Sequence, residues 1–417
     1  MSQPTPTMNF ALIGSARQRP SEDPIFAIHG EALQRAAAGE TIIDASLGTL
    51  MDEDGGLSVM PSVVDAIHGV DPAHGSAYAP ISGEKAFNDG VIQNVFGPAG
   101  LVDQAGCVAT AGGTGAVYHA INNFLDRGEC LLTTDYHWGP YTTIADQGGR
   151  GVKTFRMFND QHHFNLVALE ESLESLAKTQ DRILLILNFP CHNPTGYSLG
   201  EEEWEGVVRI LKEVDSGTPI ALLLDLAYFR YGAPGTDAWV RHIGDLTDHM
   251  PVLAAWSASK TFAQYGSRTG ALAVAMADPV ERNRIVNALS YTGRGTWSNC
   301  NHLVQLASIE LLRDPIMSKR VEQDRDALLD MLGERVEIFN REASKAGLRY
   351  PRYEGGFFVI VFTADPTETV RRCNAEGLYL VPIKGAVRIA LCATPKNVVK
   401  PMVEILGRAV AGLQGDN

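Results

Sequence analysis

Between residues 105 and 277 short apolar runs alternate with amphipathic stretches, and this alternation restricts the fold more than any other feature of the chain. The runs are "CVAT", "ECLLTT", "VKTFRMF", "RILLILNF", "IALLLDLAY", "PVLAAWSAS" and "ALAVAMA". Between them, "VALEESLESLAKT" and "EEEWEGVVRILKEV" carry apolar residues at helical spacing. Strands that are apolar throughout are covered on both faces, and the crossover helices that cover them make neighbours parallel. The expected fold is therefore α/β: a large domain with a mostly parallel seven-stranded sheet between helices, plus a smaller α+β domain. The smaller domain is read from a helical region over roughly 298–347, then "GGFFVIVFT", a helix near 366–376, "LYLVPI", "VRIALC" and a last helix from about Pro395. The boundaries expected are 55–312 for the large domain, with 1–54 and 313–417 as the small domain and its N-terminal arm. One helix in that arm, "PIFAIHGEALQRAAAG", is expected to pack on the tail rather than on the sheet.

With 49 acidic against 35 basic residues the formal charge is −14, which argues against a nucleic-acid surface but leaves room for a local basic pocket. No apolar run reaches bilayer length, and the polar start "MSQPTPTMNF" lacks a signal-peptide core, so a cytoplasmic protein with no membrane partner is expected. The six cysteines, Cys107, Cys130, Cys191, Cys300, Cys373 and Cys392, are scattered without a CxxC pair and read as reduced thiols.

Ligands of open parallel sheets gather beyond the carboxyl ends of the strands. Five such ends carry unusual residues here: "AGGTGA", "DYHWGPY", "PCHNPTG", "DLAY" and "SASK". In the first, Gly112, Gly113, Thr114 and Gly115 stand where a helix begins, so that free backbone N–H groups could hold an anion. The spacing matches neither a dinucleotide fingerprint nor a P-loop. Asp225 closes a very apolar run and is either a cap, an ion-pair partner or a working acid. Lys260 follows another such run; alone it would be a surface or ion-paired lysine, but an ammonium among five converging loops is costly unless it is used. His137, His192 and the pair His162–His163 lack metal spacing, and no metal site is expected.

These residues, in this order and spacing, resemble the class I aminotransferases, pyridoxal-5′-phosphate enzymes of fold type I, and most closely their aspartate and aromatic branch. The resemblance is collinear from "DPIF" at 23–26 to "VRIALCATP" at 387–395. It implies that Lys260 forms the Schiff base with the cofactor and then moves the substrate's α-proton. Asp225 is similar to the carboxylate facing the pyridine nitrogen, and Tyr228 and Asn193 to the pair on the ring oxygen. Trp138 matches the stacking ring. Gly113, Thr114, Ser257 and Arg268 match phosphate ligands, joined by Tyr78 of "YAPISGEKAF" from a neighbouring subunit. For the substrate, Arg388 in "VRIALC" resembles the α-carboxylate clamp and Gly48 in "SLGTLMDEDGG" a backbone contact to the same group. Arg294 in "RGTWSN" resembles the second arginine, supplied across the dimer, that grips a distal carboxylate. The resemblance also implies a cis bond at Asn193–Pro194. One departure is Tyr141, which stands where several members have a histidine supporting the aspartate.

What the resemblance implies is a homodimeric, ping-pong aminotransferase with an amino acid and a 2-oxo acid as substrates. Aspartate or glutamate with 2-oxoglutarate comes first, because two arginines suit two carboxylates; aromatic amino acids come second. A lyase or decarboxylase would use the same Lys260 and Asp225. A non-catalytic regulatory relative would usually carry a DNA-binding extension, and no basic helix-turn-helix pattern precedes the sheet.

Overall fold

The computed structural model describes residues 23–214 and 217–413, with residues 11–13, 16, 19 and 20 ahead of them; the polar start at 1–10 lies outside the described residues. A two-residue strand, β1 (Ile43–Asp44), comes first. Each of the seven apolar runs then forms one strand: β2 (Ala105–Thr110), β3 (Cys130–Thr134), β4 (Gly151–Phe155), β5 (Ile183–Leu187), β6 (Ile220–Asp225), β7 (Val252–Ser257) and β8 (Gly270–Ala275). They make one sheet in the order β2-β8-β7-β6-β5-β3-β4. All neighbours are parallel except β8, which is antiparallel to both β2 and β7. The connection from β7 to β8 holds only short helical turns, too little for a crossover, so the chain returns in the opposite direction.

Alternate strand residues feed two separate cores. Ile183, Leu185, Leu187, Leu222, Leu224, Ala254 and Trp256 point to one face; Leu184, Ile186, Leu223, Leu253 and Ala255 point to the other. This is why the strands read as unbroken apolar runs. Each buried Leu or Ile side chain contributes about 1.5–3 kcal/mol, so these positions hold the layers together.

The helical region expected over 298–347 is two helices, His302–Arg313 and Pro315–Lys345, divided at Asp314. The Asp314 carboxylate accepts from the N–H groups of Ile316 (3.0 Å) and Met317 (2.9 Å), a cap worth about 1 kcal/mol. A helix the sequence reading omitted, Pro279–Thr296, precedes them, capped in the same way by Asp278. Its Asp-Pro start with Glu281 in the first turn is a legible signal.

Three strands form a second, antiparallel sheet in the order β11-β12-β9: β9 (Phe358–Phe362), β11 (Val381–Ile383) and β12 (Ala386–Ala390). The stretch "LYLVPI" therefore divides: its first part, β10 (Leu378–Tyr379), pairs in parallel with β1, and its second is β11. Helix Pro24–Ala37 lies on this part of the molecule, as expected from the sequence. Its Arg35 donates to the Asn374 carbonyl (2.7 Å) and the Tyr379 hydroxyl (3.0 Å). The six cysteines are free thiols. Among the described residues no helix is long and apolar enough to cross a membrane.

Candidate active site

β7 ends at Ser257, whose hydroxyl accepts from Ser259 N–H (3.2 Å) and starts the single helical turn Ala258–Thr261. That turn presents Lys260 at the carboxyl end of the sheet. Its Nζ lies 5.3 Å from the ring centre of Tyr228 and 5.7 Å from that of Tyr265. Burial lowers the amine to about 8; the Asp225 charge opposes this and the Arg268 charge adds to it. The Tyr231 hydroxyl donates to the Lys260 carbonyl (2.9 Å) and steadies the turn.

Asp225, the last residue of β6, is buried. Its Oδ2 accepts from the Tyr141 hydroxyl at 2.6 Å and its Oδ1 from Ala227 N–H at 3.2 Å. Burial raises the affinity of this carboxyl for its proton, and the two donors and Lys260 oppose that. Asn188, just past β5, ties two loops together. Its Nδ2 donates to the Asp225 carbonyl (2.7 Å) and its Oδ1 accepts from Asn193 N–H (2.7 Å). Asn193 is buried, is joined to Pro194 by a cis bond, and its amide acts on the Tyr228 phenol. Burial pushes that phenol well above its ordinary range.

Beside Lys260 the helix Gly112–Phe124 begins. Gly112 has φ +73°, and a Cβ there would meet the Arg268 guanidinium at 2.6 Å, so only glycine lets the arginine approach. Gly113 backs onto Ser257 in the same way, at 3.2 Å. Arg268 is held by bonds to the Tyr265 carbonyl (2.9 Å) and the Ser259 hydroxyl (3.4 Å). The start of this helix, at Gly112 to Thr114, thus lies beside a guanidinium, an arrangement suited to a phosphate. Trp138 stands edge-on to Tyr141, with ring centres 5.5 Å apart.

On β12, Arg388 is 5% exposed, and among the described residues no carboxylate lies within ion-pair distance of it. Its guanidinium lies 4.5 Å over the face of Phe358 and donates to the Ser46 carbonyl (2.6 Å), while its Nε has no partner. The Gly48 loop rests on the same Phe358 ring, where an added Cβ would come within 2.5 Å. The Tyr265 hydroxyl accepts from Leu50 N–H (3.0 Å) in that loop.

Arg294 and Tyr78 are different. Arg294 sits exposed in the last turn of helix Pro279–Thr296 and bonds its own neighbour Ser298 (2.6 Å), and Tyr78 is 90% exposed. Lys260, Asp225, Tyr228, Asn193, Ser257 and Arg268 converge within one chain; Arg294 and Tyr78 face solvent. The sequence reading did not single out Asn188, Ser46, Tyr265 or Phe358. Asn188 gave the same signal as Asp225, a polar residue closing an apolar strand; the other three gave none.

A family model described as aminotransferase class I and II matches residues 42–406. The aromatic-amino-acid aminotransferase of Escherichia coli is 27% identical over 81% of this chain and 86% of its own length. The aspartate aminotransferase of Pseudomonas aeruginosa is 27% identical over 94% and 99%. Among solved structures, an aminotransferase from Anaerococcus prevotii superposes with a TM-score of 0.92 at 33% identity, covering 96% of this chain and all of the other. Fold and sequence agree across nearly the whole length, and the chain belongs to the class I and II aminotransferases, pyridoxal-phosphate enzymes that move an amino group from an amino acid to a 2-oxo acid.

Proposed function

We propose that this enzyme takes its amino group from aspartate or glutamate, and from aromatic amino acids second, with 2-oxoglutarate as acceptor. Lys260 attaches the cofactor and carries the α-proton. Asp225 holds the cofactor's ring nitrogen protonated, Tyr228 and Asn193 bond its ring oxygen, and Trp138 covers its face. Gly113, Thr114, Ser257 and Arg268 bind its phosphate. The donor set fits that group: a helix start and a guanidinium at one end, a buried carboxylate at the other, and a lysine near pKa 8 between them. When bound, the cofactor supplies an electron sink for the bond that breaks at the substrate's Cα.

The observation that carries the reading of an amino-acid substrate is Arg388. A buried guanidinium without an acid is expensive, and an incoming α-carboxylate completes it. Gly48 adds a backbone contact to the same group. Fixing that carboxylate fixes the Cα–H bond relative to Lys260, which contributes several kcal/mol to the lowering of the barrier. Tyr78 and Arg294, exposed in one chain, serve the active site of a second copy in a two-fold dimer. Of the described residues, those over 55–312 make up the large domain, and those ahead of 55 and beyond 312 the small domain that carries Arg388. Six free thiols fit a cytoplasmic protein.

The substrate reading is tested with Arg294→Ala. We expect kcat/KM for aspartate to fall about 10²-fold, because a distal carboxylate loses its charged partner, and that for phenylalanine to stay within about threefold. Equal losses for both substrates, or none for either, would contradict the assignment of Arg294.

A further inference from the structure

We propose that the guanidinium groups of Arg230 and Arg325 form a binding site for a small inorganic anion, chloride or phosphate in kind, against the turn that carries Lys260. Neither arginine bonds a residue assigned to the cofactor or to the substrate. The site therefore stands whichever amino acid the enzyme takes.

On helix Pro315–Lys345, Val321, Arg325 and Leu332 share the buried face, so Arg325 stands where helical spacing calls for an apolar residue. It is 8% exposed. Its Nη2 donates to the Thr261 carbonyl at 3.4 Å, the guanidinium's one hydrogen bond among the described residues, and its Nε is buried without a partner. Arg230, just past β6, is partly buried and repeats the pattern. Its Nη2 donates to the Asn94 carbonyl at 3.3 Å, its guanidinium lies 4.7 Å over the Phe229 ring, and its Nε is again buried and unpartnered. Both bonds are long and therefore weak. The Thr261 hydroxyl, also buried, has no partner either.

The charges do not balance. Among the described residues no carboxylate comes within ion-pair distance of either arginine. Glu322 and Asp326 act on Arg325, and Glu322 and Asp237 on Arg230, only through space and from exposed positions. Burial, and then the Arg325 charge, bring the Arg230 guanidinium down to about 10, and burial lowers Arg325. Two like charges withdrawn from water with no acid between them are costly, and guanidinium groups can only donate. An anion accepts from both forks at once and removes the imbalance. It also ties three segments together: the long helix, the stretch after β6, and the Lys260 turn. That turn is reached through its main chain, at the Thr261 carbonyl, next to the Lys260 carbonyl that accepts from Tyr231.

The test reads Tm of the cofactor-loaded, full-length protein by calorimetry in chloride, in phosphate and in gluconate at one ionic strength, gluconate being too large for a site of this kind. Chloride or phosphate should raise the wild-type Tm by about 2–4 °C over gluconate, and the ion with the larger gain is the occupant. In Arg230→Met and in Arg325→Met that gain should fall below about 1 °C. In gluconate Arg230→Met should melt no lower than wild type, because one of two like charges has gone. Crystals grown in gluconate and soaked with bromide or arsenate, which stand for chloride and phosphate and scatter anomalously, should show a peak within about 3.5 Å of both guanidinium groups. A wild-type Tm that is the same in all three salts would overturn the proposal. So would a gain kept in full by both variants, which would put the ion elsewhere, or maps empty at this place for both ions. A salt-insensitive Tm that drops in Glu322→Gln would overturn it too, by showing that a carboxylate of the chain balances the pair. Should Arg325→Met not fold, Arg230→Met and the maps decide.

Discussion

Lys260→Ala is expected to abolish the absorbance band that belongs to the covalent link between lysine and cofactor, and to lower kcat by about 10⁴-fold, the upper range for losing a positioned general base, because the covalent partner is lost with it. The fold should survive. The short turn that carries Lys260 is held by the Ser257 cap and the Tyr231 bond to the Lys260 carbonyl, and neither uses the amine. The wild-type amine has its own signature. Burial brings it down from 10.5 to about 8, so it is protonated and unreactive below that pH and neutral above it. The apo-protein should capture pyridoxal phosphate faster as the pH rises through about 8, and level off beyond. Followed by absorbance, capture that is flat across this range would show that another group governs attachment. A spectrum unchanged from wild type in Lys260→Ala would remove Lys260 from its role.

Asp225→Asn should lower kcat by about 10²- to 10³-fold, in the range seen when a preorganised electrostatic partner is removed. Asparagine keeps the shape. Its single amide oxygen can still accept from the Tyr141 hydroxyl, at the cost of the longer bond from Ala227 N–H, so the main loss is the negative charge. Without it the ring nitrogen is not held protonated, and charge leaving the substrate's Cα has nowhere to spread. Stability should move the other way, or hardly at all. A buried carboxylate whose proton affinity is raised is a burden to the folded state, and an isosteric neutral group relieves it, so Tm should not fall by more than about 3 °C. A calorimetric scan beside the kinetic assay separates the two effects. A large fall in Tm with kcat nearly intact would mean that Asp225 is a structural residue.

The core of the site was legible in sequence because its main residues lie at or just beyond the carboxyl ends of apolar strands, where polar side chains are conspicuous. Asp225 closes β6, Lys260 sits in the turn that follows β7, and Asn193 lies in the loop that follows β5. Asn188 gave the same signal and was passed over. The Tyr141–Asp225 bond could not be read from local pattern, since it joins residues 84 positions apart. The same holds for Phe358, an ordinary strand aromatic until Arg388 is seen over its face and Gly48 against its tip. The sheet was read correctly because strands buried on both faces leave continuous apolar runs. The division of "LYLVPI" between two sheets was missed because β10 and β11 are separated by a single residue, Leu380, and differ only in their partners.

Reduction of the cofactor-loaded protein with borohydride, followed by peptide mapping by mass spectrometry, puts the attachment site to the most direct test. Hydride adds to the carbon–nitrogen double bond between cofactor and amine and makes the link permanent. The account predicts one added phosphopyridoxyl group per chain, on the peptide containing Lys260. An unmodified Lys260 peptide, or the group carried by a different lysine, would contradict it.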